Sequence, residues 1–142
     1  MRPAIICACL LAMMGTVFGQ KPNQTTTADS MPVFWEKFKT AIIRGDKETV
    51  AALSAFPISM PYVMTNIKNK AQLMKHYRDI FFSETGAAKC FAKAKPDVDK
   101  QRPKEFTISC KMTGGGEEEP IVYTFTRGRT GWKFTGFDNI NE

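Results

Sequence analysis

The side chains with the clearest chemical potential in this sequence are a histidine and a nearby aspartate. His76 and Asp79 lie three residues apart, with Tyr77 between them, and this spacing places two side chains on one face of a helix. An imidazole beside a carboxylate can act as a general base. The alternative is a solvated surface pair, because Lys75 and Arg78 flank the same residues.

The other polar motifs do not complete a catalytic or metal site. His76 is the only histidine, so a zinc site of the Cys/His type cannot be assembled. The glycines at 114–116 lack the Lys-Ser/Thr of a phosphate-binding loop. The glutamates at 117–119 lack the alternating oxygen ligands of a calcium loop. We therefore predict a polar hairpin loop at 114–119, no metal and no cofactor.

The N-terminus has the pattern of a secretory signal peptide. Arg2 supplies a positive charge, an apolar run follows, and small residues precede a cleavage point near Gly19 and Gln20. The apolar run is shorter than the roughly 20 residues of a membrane span. We expect a signal peptide at 1–19 and a periplasmic or secreted protein without an integral membrane anchor.

The remainder has the composition of one globular domain. The full chain has 142 residues, 43% of them apolar, and a formal charge of +6. The polar residues 20–30 predict a flexible leader, and 31–142 predict a single domain. The lysines are spread along the chain, which favours a role in solubility and argues against a nucleic-acid partner. Weak attraction to anionic polymers stays open.

Three helices are predicted in the first half of that domain. The first begins after Ser30, which can cap it, and ends at Gly45. Asp46 offers the N-cap of a short second helix, and the prolines of 57–62 predict an extended connection after it. Asn69 with a glutamine three residues later approximates the capping box of a third helix.

The second half of the domain changes to a period of two, which is typical of strands. Four strands are predicted, over 88–94, 106–112, 121–125 and 132–136. Helices followed by a strand meander indicate an α+β fold, with the helices packed on one face of an antiparallel sheet of about four strands. The residues assigned to the inward face contain one phenol and no carboxylate: Phe106, Ile108, Cys110, Met112, Ile121, Tyr123, Phe125, Trp132 and Phe134.

Two cysteines remain after the predicted signal peptide, Cys90 and Cys110. Export would place them in an oxidising compartment, so we expect one disulfide. If the first two strands form a hairpin, the two cysteines lie nearly opposite each other on its apolar face. Two buried free thiols or half of a metal site are the alternatives.

The order of elements resembles that of the NTF2-like superfamily. The resemblance covers roughly residues 31–138, and the stretches that carry it are Phe34-Trp35, Phe38, Ala41-Ile42, Gly45-Asp46, Phe56-Pro57 and Gly131-Trp132-Lys133-Phe134. It implies a cystatin-like α+β fold in which a curved sheet forms a cone around a long helix. It also implies a cavity, for which the candidate lining residues are Phe38, Tyr77, Cys90, Ile108, Tyr123, Phe125 and Trp132.

Three functions are compatible with that resemblance. The first is a non-enzymatic binding module for a small apolar ligand or an envelope protein, favoured by the apolar inward face. The second is a small lyase or isomerase of the ketosteroid-isomerase kind, using Tyr123 with His76 or Asp79. The third is an envelope inhibitor or immunity-type protein that binds through exposed loops such as 96–104. A monomer and a homodimer both fit the sequence.

Overall fold

The computed structural model describes residues 29–60, 66–83, 85–112 and 120–139. The predicted signal peptide, most of the predicted leader and the predicted polar hairpin loop lie outside these residues. Within them, no helix is long and apolar enough to cross a membrane.

The described chain is an α+β unit in which helices precede most of the strands, as predicted. A π-helical turn, Asp79–Ser83, continues the third helix. The elements in chain order are α1 Met31–Arg44, α2 Lys47–Ala52, β1 Ser54–Ser59, α3 Lys70–Arg78, α4 Ala87–Phe91, β2 Glu105–Lys111, β3 Pro120–Gly128 and β4 Gly131–Asn139.

Local signals delimit the first two helices, with one correction to the prediction. α1 follows Ser30, but the Ser30 side chain makes no capping hydrogen bond, so the predicted cap is wrong there. α1 ends at Gly45 as predicted, and Gly45 adopts a left-handed φ of 67° that glycine tolerates without strain. Asp46 caps α2, because its carboxylate accepts hydrogen bonds from the Thr49 hydroxyl at 2.6 Å and the Thr49 N–H at 3.0 Å. These bonds lower the pKa of the Asp46 carboxyl.

The side chains of Asn69 and Gln72 delimit α3. The Asn69 side-chain oxygen accepts from the Gln72 N–H at 3.0 Å, which satisfies an N–H of the first turn and confirms the predicted cap. The Gln72 side-chain oxygen accepts from the Lys68 N–H at 2.7 Å, one residue before the N-cap, so the return bond differs from that of a capping box.

The sheet is mixed, and the prediction of a wholly antiparallel sheet is wrong for one strand. The strand order is β1-β4-β3-β2. β3 pairs antiparallel with β2 and β4, whereas β1 pairs parallel with β4. The segment predicted as an extended connection thus overlaps a true strand, since β1 includes Pro57. Proline is tolerated there because β1 is an edge strand.

The strand predicted at 88–94 is also wrong, because its first residues form α4. Alternation of alanine and lysine mimics a strand, yet both residue types are strong helix formers. The burial follows helical spacing: Ala87 and Phe91, four residues apart, are both fully buried, whereas Lys89 is exposed.

The predicted disulfide between Cys90 and Cys110 is present, with Cα atoms 5.8 Å apart. Its predicted setting is wrong, since it does not join two strands of a hairpin. It links α4 to β2 across a sequence separation of 20 residues. The bond therefore attaches the short helix to an edge of the sheet.

Aromatic rings form the centre of the core. Phe38 of α1 is completely buried and its ring centroid lies 5.0 Å from that of Phe125 and 5.6 Å from that of Phe134. The ring centroids of Phe81, in the π-helical turn, and Phe91, in α4, lie 6.3 and 6.4 Å from that of Phe38. α1 therefore lies on the inward face of the sheet.

The disulfide should contribute measurably to stability. Closing a loop of about 20 residues restricts the unfolded chain, which corresponds to roughly 3 kcal/mol in the loop-entropy model. Reductant should lower the thermal unfolding temperature of the wild-type protein, and Cys110→Ser should unfold at a similarly lowered temperature with or without reductant. An unfolding temperature that reductant leaves unchanged in the wild type would contradict this prediction.

Candidate functional site

Tyr123, the predicted inward phenol, lies in β3 and is completely buried. Its hydroxyl is 2.8 Å from the Ile80 carbonyl oxygen and 2.5 Å from the Thr85 hydroxyl. Because a carbonyl can only accept, the phenol donates to Ile80 and Thr85 donates to the phenol oxygen. The hydroxyl thus ties β3 to the segment that follows α3.

His76 and Asp79 lie together at the end of α3, as their spacing predicts. The His76 Nδ1 atom is 3.7 Å from Asp79 Oδ2, and the side chains are 27% and 53% exposed. The contact described for His76 is with Asp79, whereas the hydrogen bonds described for the Tyr123 hydroxyl go to the interior. The structure therefore brings His76 and Asp79 together. It gives no described contact from either of them to Tyr123.

Tyr77, between them in sequence, points into the core. It is 1% exposed, and its hydroxyl has no hydrogen-bond partner among the described residues. Its ring centroid lies 5.0 Å from that of Phe81, and Lys47 Nζ sits 5.2 Å from its ring centroid. Burial, with a smaller contribution from the Asp46 carboxylate, raises the pKa of Tyr77 to about 12. The phenol stays neutral at ordinary pH.

The residues predicted to line a cavity are packed against one another. Phe38, Ile108, Tyr123 and Phe125 are completely buried, and Trp132 is 7% exposed. The ring centroids of Phe125 and Phe106 lie 4.6 Å apart, and those of Tyr123 and Phe91 lie 4.9 Å apart. The centroids of Trp132 and Phe106 are separated by 5.2 Å. These rings occupy the space between α1 and the sheet. Cys90 lies in α4, outside that layer.

A groove on the surface was not predicted. It runs between α4 and β2, has a volume of about 490 Å³, and we call it the lysine groove. Its lining includes Lys89, Lys93, Lys111, Ser109, Thr85 and Cys90. The sequence interpretation missed it because residues 88–94 were assigned to a strand. The available signal was the pair of apolar residues Ala87 and Phe91, which lie four positions apart.

The described residues offer no cluster of three or more His, Cys, Asp or Glu side chains that could hold a metal ion. The polar residues that are buried in this part of the chain are Ser54 and Thr85. Both carry hydroxyls that are already hydrogen-bonded, Ser54 to the Val50 carbonyl at 2.8 Å and Thr85 to Tyr123.

Comparison with known proteins yields similarity in structure alone. No protein-family model matches the sequence, and no curated protein matches it. Solved structures do match. One is a domain of unknown function with a cystatin-like fold from Nostoc punctiforme, 19% identical, covering 83% of this chain and 80% of that one with a TM-score of 0.45.

Two further solved structures are described in related terms. A protein from the NTF2-like family of Streptomyces avermitilis, for which a dehydratase activity has been suggested, is 16% identical, covers 76% of this chain and 90% of that one, and has a TM-score of 0.42. An NTF2-like protein with a cystatin-like fold from Novosphingobium aromaticivorans is 14% identical, with 75% of each chain covered and a TM-score of 0.38. These neighbours are described as NTF2-like or as having a cystatin-like fold, and the order of elements in this sequence resembles that superfamily. The likeness concerns the fold alone.

Proposed function

We propose that this protein is a non-enzymatic, exported binding module that meets its ligand or partner at its surface. The observation that carries the proposal is the content of its interior. Aromatic rings pack between α1 and the sheet, and the buried hydroxyls of Ser54 and Thr85 are engaged in internal hydrogen bonds. Among the described residues, the buried side-chain atoms without such a partner are the Tyr77 hydroxyl and Asp138 Oδ1. General acid–base catalysis needs a titratable group at the reacting atom. The interior side chains are instead mainly apolar groups that pack against one another.

The bonding of Tyr123 supports a structural role for its hydroxyl. The lyase or isomerase alternative requires that hydroxyl to reach a substrate together with His76 or Asp79. Ile80 and Thr85 already hold it, and a substrate would have to displace Phe91 or Phe81, whose ring centroids lie 4.9 and 5.8 Å away.

The disulfide supports export. Bonded cysteines persist in oxidising compartments and are rare in the reducing cytosol. The Cys90–Cys110 bond therefore agrees with the signal peptide predicted from residues 1–19. An envelope inhibitor would also act from the surface, so that alternative differs from ours in the identity of the partner.

The two buried tyrosines provide a matched pair of variants. Tyr123→Phe leaves the Ile80 carbonyl and the Thr85 hydroxyl without their partner, which should lower the free energy of unfolding by about 1–3 kcal/mol. Tyr77→Phe removes a hydroxyl that makes no described hydrogen bond, and should change that free energy little or raise it. Urea denaturation followed by circular dichroism measures both.

If Tyr77→Phe lowered the free energy of unfolding and Tyr123→Phe did not, the Tyr123 hydroxyl would not stabilise the fold. A free energy of unfolding unchanged in Tyr123→Phe would leave that hydroxyl available for another role. Either outcome would remove the structural argument against the catalytic alternative.

Binding itself is tested with protein purified from its own host. Native mass spectrometry should detect a bound mass or a stoichiometric partner. Adding that ligand back to ¹⁵N- and methyl-labelled protein should shift amide resonances of exposed residues, while the methyl resonances of Ile108 and Ile121 in the core stay in place. Absence of any bound species, or shifts centred on those methyl groups, would contradict the proposal.

A further inference from the structure

The lysine groove concentrates positive charge along α4 and the turn that follows it. Lys89 lies in α4, Lys93 lies two residues beyond the end of α4, and both side chains are exposed. Lys111 lines the opposite wall, at the end of β2. An anion in the groove would be attracted by Lys89 and Lys93.

The charge of Lys89 and Lys93 is not compensated by the described residues. The lining of the groove contains three lysines and no acid, and within the described ranges neither Lys89 nor Lys93 takes part in an ion pair. An uncompensated pair of ammonium groups in a concave surface focuses a positive potential.

Another basic surface of the protein provides the contrast. Arg102 pairs with Asp99 at 3.0 Å and with Glu105 at 2.6 Å. Arg127 pairs with Asp29 at 2.8 Å. Carboxylates of the chain itself thus engage these guanidinium groups. Lys89 and Lys93 differ because no described carboxylate pairs with either of them.

The walls of the groove are held at a fixed spacing. The Cys90–Cys110 disulfide ties α4 to β2, and Cys90 itself lines the groove. Thr85, also in the lining, is anchored through its hydroxyl to Tyr123 of β3. Ser109 is exposed and contributes a hydroxyl that can donate to a bound oxygen atom. A rigid site reduces the entropy lost on binding.

We propose that the lysine groove binds a phosphate-bearing ligand, with Lys89 and Lys93 as the principal charge partners. The volume of about 490 Å³ accommodates a phosphate or diphosphate group with its first substituent. Compact ammonium groups suit a multiply charged oxyanion. This inference rests on the proposed function and deepens it, because it names the chemical class of the ligand.

The test uses inorganic pyrophosphate and the full-length protein in low-salt buffer. Pyrophosphate should shift the amide resonances of residues 85–94 and 109–111 in a saturable manner. Lys89→Gln combined with Lys93→Gln should weaken its binding by about tenfold or more. Raising the ionic strength from 50 to 200 mM should weaken binding to the wild type as well.

A matched control removes two charges elsewhere. Lys68 and Lys75 are both exposed and lie on or beside α3, so Lys68→Gln with Lys75→Gln should leave the affinity for pyrophosphate unchanged. Equal weakening in the two double variants would show attraction to net charge and overturn the site. Circular dichroism of both variants checks that they are folded.

A second probe distinguishes the source of the phosphate. Vesicles of phosphatidylglycerol that sediment the wild-type protein but not Lys89→Gln with Lys93→Gln would point to a lipid headgroup. Pyrophosphate binding without sedimentation would point to a soluble phosphoester; both outcomes support a phosphate site. The inference is overturned if neither probe engages the groove. The proposed function would then still stand if native mass spectrometry detects a bound species at another surface, and it would fall with the inference if none is detected.

Discussion

The contact between the aromatic face of α1 and the inward face of the sheet determines the rest of this structure. Phe34, Trp35 and Phe38 lie within one turn of the helix, and their rings meet Phe106 and Phe125 of the sheet with centroid distances of 5.0 to 6.3 Å. Burial of large aromatic side chains contributes much of the stability of a small domain. α1 is therefore held against the sheet, and Phe81 and Phe91 from the other helical segments pack beside Phe38.

That packing decides where function can reside. The rings of Phe91 in α4 and Phe81 in the π-helical turn both contact the Tyr123 ring, and the Tyr123 hydroxyl bonds to internal partners. A filled interior excludes a ligand unless side chains move, and close-packed cores resist such movement. The lysine groove lies at the surface, where Lys89 and Lys93 have no ion-pair partner among the described residues and the disulfide joins α4 to β2.

Several elements could be predicted from the sequence because their signals are local. Asp46, Asn69 and Gly45 delimit helices through bonds within a few residues. The alternation of apolar and polar residues in β2 and β3 predicted these strands because one face of each strand is buried. By contrast, α4 was missed because a short run of alanine and lysine satisfies either period. β1 was missed because its parallel partner, β4, lies about eighty residues away in the chain.

The candidate site was predicted less completely, for the same reason. Burial of Tyr123 follows from its strand position, but its partners Ile80 and Thr85 lie about forty residues away and no local pattern marks them. The lysine groove requires α4 to be a helix and to lie beside β2. Only the cysteine pair indicated that contact, and the sequence analysis placed the pair in a hairpin of two strands.

The central claim is that the interior is filled, and xenon measures this most directly. A crystal of the protein pressurised with xenon should show no bound atom between α1 and the sheet, because an apolar site needs an empty volume large enough for the gas. A well-occupied xenon atom beside Phe38, Tyr123 and Phe134 would demonstrate a hollow interior. It would contradict the account and favour a ligand site inside the fold.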